Sequence, residues 1–302
     1  MGTQRVESRQ DGKKKSVIKQ EIELQFHWYI LAFFIIFIGS FLIPGIIITL
    51  YFRYFFLPFF LENASFASLF TSFYPLLALI SMPLVIIGVY LIHLFLVGVL
   101  TKWLWEITEN ISPSKDGIIP RNINSKTLNF YNIRSFMIKY PKNAFIKGPF
   151  PWLINWLYNY VGNNKIGKGS TIEEQFGADR FVEIGDNSYV GVNSGFSSHS
   201  VEGIFGNISY FKIKLGNNVT TSGLNCIAPG VEIKDNSYLF PLAGATKYST
   251  LKGNNFYFGV PLRKAFTKKT MKYLKISENE LKSEERLREL QLQERKKESK
   301  NK

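Results

Sequence analysis

The chain has 302 residues, of which 46% are hydrophobic and 20% charged, and its mean hydropathy is -0.01. No Asp, Glu, Lys or Arg occurs between Glu23 and Arg53 or between Glu62 and Lys102. Charge-free stretches of this length disfavour a simple cytosolic globule. The single cysteine, Cys226, excludes an intrachain disulfide and a Cys-rich metal site, and three histidines leave little for a His-ligated metal.

The net charge of +14 is unevenly placed, because the segment from Arg263 to Lys302 holds 14 basic and 7 acidic residues, half of the excess. No recognition motif accompanies this charge, so nucleic-acid binding is not expected. Residues 265–302 are predicted to form a charged, solvated helix or tail that is attracted to anionic lipid headgroups. Its leucines hold no heptad, so a coiled coil is only weakly favoured.

Residues 1–25 are polar and mixed in charge, and they predict a flexible cytosolic arm. A first apolar stretch, Phe26 to Phe52, is long enough to cross a bilayer core of about 30 Å and too long for a cleaved signal peptide. Pro44 is tolerated in such a helix, with a kink. The short apolar stretch from Tyr54 to Leu61 is predicted to be a re-entrant or interfacial hairpin.

The second apolar stretch is densest over residues 75–100, and one helix is favoured over two helices broken near Pro83. A transmembrane region over residues 26–105 follows, with two spans favoured and three left open. Lys13, Lys14 and Lys15 precede the first span and Lys102 follows the second. The positive-inside rule therefore predicts a multi-pass cell-membrane protein with both ends, and the soluble domain, in the cytoplasm.

His93 falls inside the second predicted span. An ionisable residue at that depth indicates a functional site by default. The plainer interpretation is a neutral imidazole that is hydrogen-bonded across to the first helix.

Residues 106–160 contain several prolines and mixed charges and are predicted to be a linker without a long regular element. Within it, residues 126–140 alternate apolar and basic side chains, which is typical of a helix lying on a membrane surface. Residues 150–160 are rich in aromatic side chains. They are expected to be interfacial, to cover the end of the next domain, or both.

Residues 161–264 carry a six-residue period. One phase places aliphatic or aromatic residues at positions 166, 172, 178, 184, 190 and 196; it slips by one across an insertion and resumes at positions 215, 221, 227, 233, 239, 245 and 251. A period of six fits neither a helix nor ordinary strand alternation. It predicts a parallel β-helix with three six-residue sides per coil and one inward residue per side. Asn and Gly at the corners, as in Gly185-Asp186-Asn187 and Gly216-Asn217-Asn218, tolerate a left-handed backbone. Cys226, beside the inward Ile227, is interpreted as structural filler.

This repeat resembles the hexapeptide-repeat acyltransferase superfamily. The resemblance implies a left-handed parallel β-helix, a homotrimer, and acyl-CoA bound between subunits. Together with the apolar spans and the charged tail described above, it gives an all-β fold class with N-terminal transmembrane helices and a charged C-terminal helix. The segment from Gly259 to Lys264 is similar to the Gly-x-Pro-Ala-Lys that often ends those domains, with Leu262 in place of the usual Ala.

A narrower resemblance covers residues 70–264 and concerns the membrane-embedded C-terminal region of poly-lysine-synthetase-type, nonribosomal peptide synthetase-like proteins. Their His-x-x-Glu-Asp looks like His199 to Gly203 here, with Gly203 in place of the acidic residue. This resemblance implies amide-bond formation. The chain has one such domain and no adenylation module, so it would trimerise and take an activated acyl donor made elsewhere.

Acyl transfer from a thioester to a hydroxyl or amine needs a base for the acceptor proton and a donor for the oxyanion. His199 is the candidate base, because an imidazole titrates near neutrality and this residue lies where the repeat is interrupted. Glu202 is the candidate that orients its ring, as a carboxylate does in triads. From its position alone, His199 is as well explained as a surface histidine, and the resemblance favours a catalytic role.

Backbone N–H groups near Gly216 or Gly223 are the candidates for the oxyanion. Arg263 and Lys264 are candidates for binding coenzyme A phosphates, and a basic membrane-facing tail explains them nearly as well. No metal is expected. With one histidine in the repeat, the three-His zinc site of β-helical carbonic anhydrases is excluded.

The favoured function is a membrane-anchored acyltransferase that uses acetyl-CoA or another acyl-CoA. Its acceptor would be a small molecule, a glycan or a lipid-linked group at the cytoplasmic membrane face, with membrane lipids and other copies of the chain as partners. Two alternatives remain. One is an amide-bond-forming transferase that uses a carrier thioester, and the other is a non-catalytic trimeric scaffold.

Overall fold

The structure, a computed structural model, describes residues 5–10, 13–18, 26–62, 65–173 and 180–265. The charged helix predicted for residues 278–300 lies outside the described residues. Long helices make up the first half of the described chain and short strands the second half. The all-β fold class is therefore wrong for the chain as a whole, which combines helices with a β-helix.

The N-terminal segment forms an antiparallel hairpin of β1 (Arg5–Gln10) and β2 (Lys13–Ile18). The arm predicted for residues 1–25 thus contains two paired strands, and its flexibility and cytosolic location stay predictions. A two-residue connection is enough to pair two strands, because each strand satisfies the backbone groups of the other.

Two long helices follow. Helix α1 (Phe26–Tyr51) continues as a π-helical segment, Phe52–Glu62, and after the short α2 (Ser68–Thr71) comes α3 (Phe73–Ile111). Both are long and apolar enough to cross a membrane by length and composition. The predicted hairpin at residues 54–61 is instead a continuation of the first helix. A widened π-helical turn accommodates Pro58, which has no N–H to donate. Helix α3 runs unbroken through Pro83 and ends eleven residues later than predicted.

Polar contacts join α1 to α3. The Tyr51 hydroxyl donates to the Ala78 carbonyl over 3.0 Å. The Nδ1 of His93 lies 3.3 Å from the Ser40 carbonyl, and its Nε2 lies 3.1 Å from the Tyr140 hydroxyl. Because a carbonyl only accepts, Nδ1 is the donor, and Nε2 accepts from Tyr140. The interpretation of His93 as a hydrogen-bonded link to the first helix is confirmed.

Three further helices, with a 3₁₀ turn between the last two, pack beside α1 and α3. They are α4 (Lys126–Met137), α5 (Lys139–Ile146) and α6 (Ile154–Val161), with the turn at Pro151–Leu153. The Phe136 ring stacks on Tyr29 with ring centroids 4.7 Å apart, so α4 contacts the first turn of α1. Gly98 of α3 faces the Trp156 ring so closely that a Cβ there would lie 2.9 Å from it. The segment predicted as a linker is therefore packed against the long helices.

Arg134 ties the end of α3 to α4. Its Nη1 donates to the carbonyls of Thr108, over 3.0 Å, and Ser112, over 2.7 Å. Its Nε lies 3.5 Å from a Glu109 oxygen. These carbonyls belong to the last turn of α3 and the residue after it, where a cation is electrostatically favourable. The chain therefore leaves α3 in a fixed direction.

The second half is a parallel β-helix with three faces. The first face contains β4 (Lys165–Ile166), β6 (Val182–Ile184), β11 (Ile213–Leu215), β14 (Glu232–Ile233) and β17 (Thr250–Leu251). The second contains β5 (Thr171–Ile172), β7 (Tyr189–Val190), β12 (Thr220–Thr221), β15 (Ser237–Leu239), β18 (Asn255–Phe258) and the antiparallel β19 (Arg263–Lys264). The third contains β8 (Gly195–Phe196), β13 (Cys226–Ile227) and β16 (Gly244–Ala245).

Regular coils repeat as three six-residue sides, so Leu215 pairs with Ile233 and Ile233 pairs with Leu251. Leu215 also pairs with Ile184 on its other edge, although the insertion lies between them in the chain. The coil that contains the insertion is longer than a regular coil by two six-residue sides and one further residue. The two extra sides leave the period unchanged and the single residue shifts its phase. The predicted slip is therefore confirmed.

The inward positions of both phases form the core. Every described one is buried except Ile172, which is half-buried and packs against the others; position 178 is outside the described residues. At the corners, Asn187 and Asn218 have φ of 53°, as predicted for left-handed turns. One inward side chain per side, together with buried residues beside the corners such as Val219 and Val231, thus fills the coil.

Candidate active site

The insertion between β8 and β11 forms a hairpin on the side of the coil. Strand β9 (His199–Glu202) pairs with β10 (Asn207–Tyr210), and β10 pairs on its other edge with β3 (Gly117–Pro120). Strand β3 begins six residues after α3 ends. The candidate base therefore lies on a three-stranded sheet that includes the chain leaving α3.

His199 opens onto a cleft of about 510 Å³ on the third face of the coil. The floor consists of Gly195, Cys226 and Gly244, the outward residues of three adjacent strands. Because these side chains are small, the face is recessed. His199 and Lys247 lie on the lining of the same cleft, and so does Val260 from the end of the coil.

The inner side of His199 rests on an aromatic residue. Its ring lies edge-to-face against Tyr131 of α4, with centroids 5.9 Å apart and planes at 75°. Tyr210 of β10, which pairs with His199 of β9, also contacts Tyr131 edge-to-face, with ring centroids 5.4 Å apart. Burial raises the pKa of the Tyr131 phenol, although Arg180 opposes the shift. Tyr131 therefore stays protonated and neutral beside the imidazole.

Glu202 does not take the predicted role. Residues three apart in a strand face opposite sides, so its side chain diverges from that of His199. Its carboxylate accepts a hydrogen bond from Ser209 over 2.7 Å and forms an ion pair with Lys247. Lys247, and then Ser209, hold the pKa of the Glu202 carboxyl below its ordinary value of 4.5. Among its described partners Glu202 thus clamps the hairpin to the coil of β16, two coils further along, and does not orient His199.

The two glycines predicted near the oxyanion lie at other corners of the coil, and neither lines this cleft. The Gly216 N–H already donates to the Ile233 carbonyl over 2.8 Å. A Cβ at Gly216 would collide with an Asp235 carboxylate oxygen, so this glycine is required for a close turn between coils. Gly223 lies at the turn before the third face. A Cβ at this position would meet only the Val192 carbonyl oxygen, at 3.4 Å.

Arg263 and Lys264 form the last strand, β19, at the edge of the second face, and both are exposed. Neither lines the cleft, although Val260, three residues earlier, does. Three or four residues span at most about 10–14 Å, so both cations lie within reach of a ligand longer than the cleft.

Sequence reasoning missed two residues of the cleft, Cys226 and Lys247. Cys226 is exposed, so its interpretation as filler is wrong. The six-residue period places Ile227 inward and so indicates that its neighbour points outward. Nothing local indicates Lys247, whose relation to Glu202 arises only from the stacking of coils. Among the described residues, no group of three or more His, Cys, Asp or Glu is placed to hold a metal ion.

Comparisons with known proteins find similar solved structures but no matching family model and no matching curated protein. A maltose O-acetyltransferase from Clostridium difficile 630 is 24% identical with a TM-score of 0.31, over 35% of this chain and 59% of that one. A hexapeptide-repeat acetyltransferase from Vibrio cholerae, complexed with acetyl coenzyme A, is 18% identical with a TM-score of 0.32, over 35% and 61%. A galactoside acetyltransferase in complex with coenzyme A is 26% identical with a TM-score of 0.30, over 55% and 78%.

These three structures are acetyltransferases, and this chain is similar to part of each. The chain covers 59% of the length of the first and 61% of the second.

Proposed function

We propose that the protein is a membrane-anchored acyltransferase with His199 as its general base. The observation that carries the proposal is the position of His199. Its imidazole lies on a strand, against a buried tyrosine, at the mouth of a 510 Å³ cleft in a β-helix. A base held by rigid elements beside a recess is the arrangement that acyl transfer requires.

The reaction moves an acyl group from a thioester to a hydroxyl or amine. As the acceptor oxygen or nitrogen attacks the thioester carbonyl carbon, the imidazole of His199 removes its proton. Collapse of the tetrahedral intermediate breaks the C–S bond, and the sulfur leaves with that proton from the imidazolium. Positioned general-base catalysis of this kind contributes about 10²- to 10⁴-fold.

The donor in this proposal is acetyl-CoA or another acyl-CoA. The floor of small side chains at Gly195, Cys226 and Gly244 leaves room for a slender thioester arm. Arg263 and Lys264, beyond the Val260 end of the cleft, are the cations for the phosphates of coenzyme A. A homotrimer is part of the proposal, in which a second copy would cover the open side of the cleft.

The acceptor is proposed to be a lipid-linked group or another amphiphile at the cytoplasmic membrane face. Two features support it. The apolar helices α1 and α3 are long enough to span a bilayer, and β3 connects α3 to the sheet that holds His199. The chain from the last residue of α3, Ile111, to the first residue of β3, Gly117, spans at most about 20 Å, so a membrane around α3 lies near the cleft.

Cys226 supplies a direct test of donor binding, because it is the only cysteine in the chain and is exposed on the cleft floor. The rate of its alkylation by N-ethylmaleimide would be measured by mass spectrometry in the detergent-solubilised protein. Acetyl-CoA and desulfo-coenzyme A, which has no free thiol to consume N-ethylmaleimide, should slow this reaction at least tenfold. S-acetyl-pantetheine lacks the nucleotide and should protect more weakly, and its effect should be unchanged in an Arg263→Ala/Lys264→Ala variant.

A Lys165→Ala/Lys168→Ala variant, altered at two lysines of the first coil, is the matched control and should bind coenzyme A normally. Protection by aminoacyl-pantetheine but not by acetyl-CoA would overturn the proposal in favour of amide-bond formation. No protection by any thioester, together with a stable trimer, would overturn it in favour of a scaffold.

Activity is then measured as coenzyme A release with hydroxyl and amine acceptors, both free in solution and on phosphatidylethanolamine and phosphatidylglycerol vesicles. His199→Ala should lower release at least 100-fold while leaving donor protection of Cys226 intact. Full activity in that variant would refute the assignment of the base.

A further inference from the structure

We infer that Tyr131 and Arg180 are positioning residues for His199. This inference rests on the proposed function, since it concerns the candidate base. Tyr131 belongs to α4, whereas Arg180 precedes β6 on the first coil, so neither is near His199 in the sequence. They act through His199 and not on the substrate, because neither lines the cleft.

Tyr131 is the surface against which the imidazole rests. It is 5% exposed, and its ring meets that of His199 edge-to-face at 5.9 Å. Contacts of this geometry contribute about 0.5–1.5 kcal/mol beyond the buried area. His199 also lies on the lining of the cleft, so the Tyr131 ring limits how far the imidazole can turn away from that cleft.

Arg180 in turn immobilises Tyr131. Its guanidinium lies 4.4 Å from the centre of the Tyr131 ring and is 3% exposed. Its Nη1 donates to the Tyr131 carbonyl over 3.1 Å, and its Nη2 donates to the Ser135 hydroxyl over 2.5 Å. One side chain therefore holds both the ring and the backbone of this turn of α4.

A second path leads from Arg180 to the base through the main chain. The Ser198 hydroxyl donates to the Arg180 carbonyl over 2.8 Å, and the Ser198 carbonyl accepts from the Phe211 N–H over 2.9 Å. Ser198 immediately precedes His199 and is 1% exposed. Arg180 thus fixes the imidazole from its ring side and from its backbone side.

Such support matters because catalysis is sensitive to small displacements. A shift of about 1 Å in a catalytic group costs about 100-fold in rate. If Tyr131 and Arg180 position the base, their loss lowers kcat while donor binding on the cleft floor stays unchanged. A role in general stability would instead change kcat, donor binding and the unfolding temperature together.

The experiment compares Tyr131→Phe, which keeps the ring, with Tyr131→Leu, which removes it. On the acceptor that the wild type uses fastest, Tyr131→Leu should lower kcat 10- to 100-fold with KM for acetyl-CoA within twofold. Tyr131→Phe should stay within threefold of the wild type. Tyr238→Leu, altered at an aromatic residue on the second face, is the matched control and should be unaffected.

A second readout needs no acceptor. Diethyl pyrocarbonate modifies accessible imidazoles, and the rate at His199 is measured by peptide mass spectrometry. It should rise at least fivefold in Tyr131→Leu and in Arg180→Lys, which keeps the charge but loses the planar fork. His93, which is buried between α1 and α3, reports in the same sample whether the fold has opened.

An unchanged rate at His199 in both variants, or a wild-type kcat in Tyr131→Leu, would refute the positioning role. If either variant fails to fold, the other variant supplies the test. Loss of activity in His199→Ala with full activity in Tyr131→Leu would refute this inference alone. Full activity in His199→Ala would refute the proposed base and the inference with it.

Discussion

Two adjacent residues of β13 should respond to substitution in opposite ways. Ile227 points into the coil and is 2% exposed, whereas Cys226 points outward onto the cleft floor. Ile227→Ala should therefore destabilise the β-helix while the outward side chains of the cleft floor stay in place. Cys226→Trp should fill the cleft and abolish donor binding while leaving the stability of the fold nearly unchanged.

The magnitudes follow from burial. Ile227→Ala removes three carbon atoms from the packed core of the coil. At about 0.8 kcal/mol per buried methylene, plus the cavity left behind, the free energy of unfolding falls by about 2–5 kcal/mol. For a domain of about 100 residues, a loss of about 2 kcal/mol lowers the unfolding temperature by about 8 °C. Cys226→Trp is a change on an exposed strand position, which shifts the free energy of unfolding by about 0.5 kcal/mol or less.

Unfolding would be followed by circular dichroism at strand wavelengths, and donor binding by calorimetry with coenzyme A. Cys226→Ala is the matched control for both and should resemble the wild type. An unfolding temperature in Ile227→Ala equal to that of Cys226→Ala would contradict the inward assignment of residue 227. Normal coenzyme A binding by Cys226→Trp would contradict the placement of the donor on this face.

Three further substitutions test the contacts that hold the parts together. Arg134→Met removes the donor to two carbonyls at the end of α3 and should lower the free energy of unfolding by about 3 kcal/mol. Thermal unfolding measures this loss, and an unchanged midpoint would show that the contact is dispensable. Gly98→Leu should clash with Trp156 and cost about 1–3 kcal/mol, whereas Gly88→Leu, with open space around it, should not. The lowered pKa of Glu202 makes its ion pair fully stabilising above about pH 4.5, with loss as the pH falls through the lowered value. Glu202→Gln should therefore show a smaller decrease in unfolding temperature between pH 6 and pH 3 than the wild type, and an identical decrease would contradict the clamp.

The fold of the second half could be predicted from the sequence because its core repeats. One aliphatic side chain recurs every six residues, and the burial of Val190, Ile227 and Leu239 follows from that period alone. The two long helices were equally evident from their charge-free length. Their ends were not, because α3 continues past Thr101 on contacts with α4 and α6 that a hydropathy pattern does not contain.

The candidate site was only partly predictable. His199 was found because the insertion interrupts the period, which is a local signal. Its surroundings depend on distant parts of the chain: Tyr131 comes from α4, and Lys247 comes from two coils further along. Glu202 was misassigned because spacing along the chain suggested proximity, whereas strand alternation turns the two side chains apart.

The insertion explains how a regular coil can carry a site without losing its register. Leu215 pairs with Ile184 across the insertion just as it pairs with Ile233 of the next, regular coil, so the coil resumes unchanged after the hairpin. Lengthening a closed loop costs little additional entropy, and here the added residues also form strand pairs with β3. The candidate base therefore lies on paired strands, and Tyr131 and Phe136 of one helix connect it to α1. The path runs from the imidazole to Tyr131, along five residues of α4 to Phe136, and from there to Tyr29. It places the imidazole within about 20 Å of the first turn of α1. In the proposed function, a membrane that holds α1 would thus keep the cleft within about 20 Å of the start of that helix, within reach of an amphiphilic acceptor.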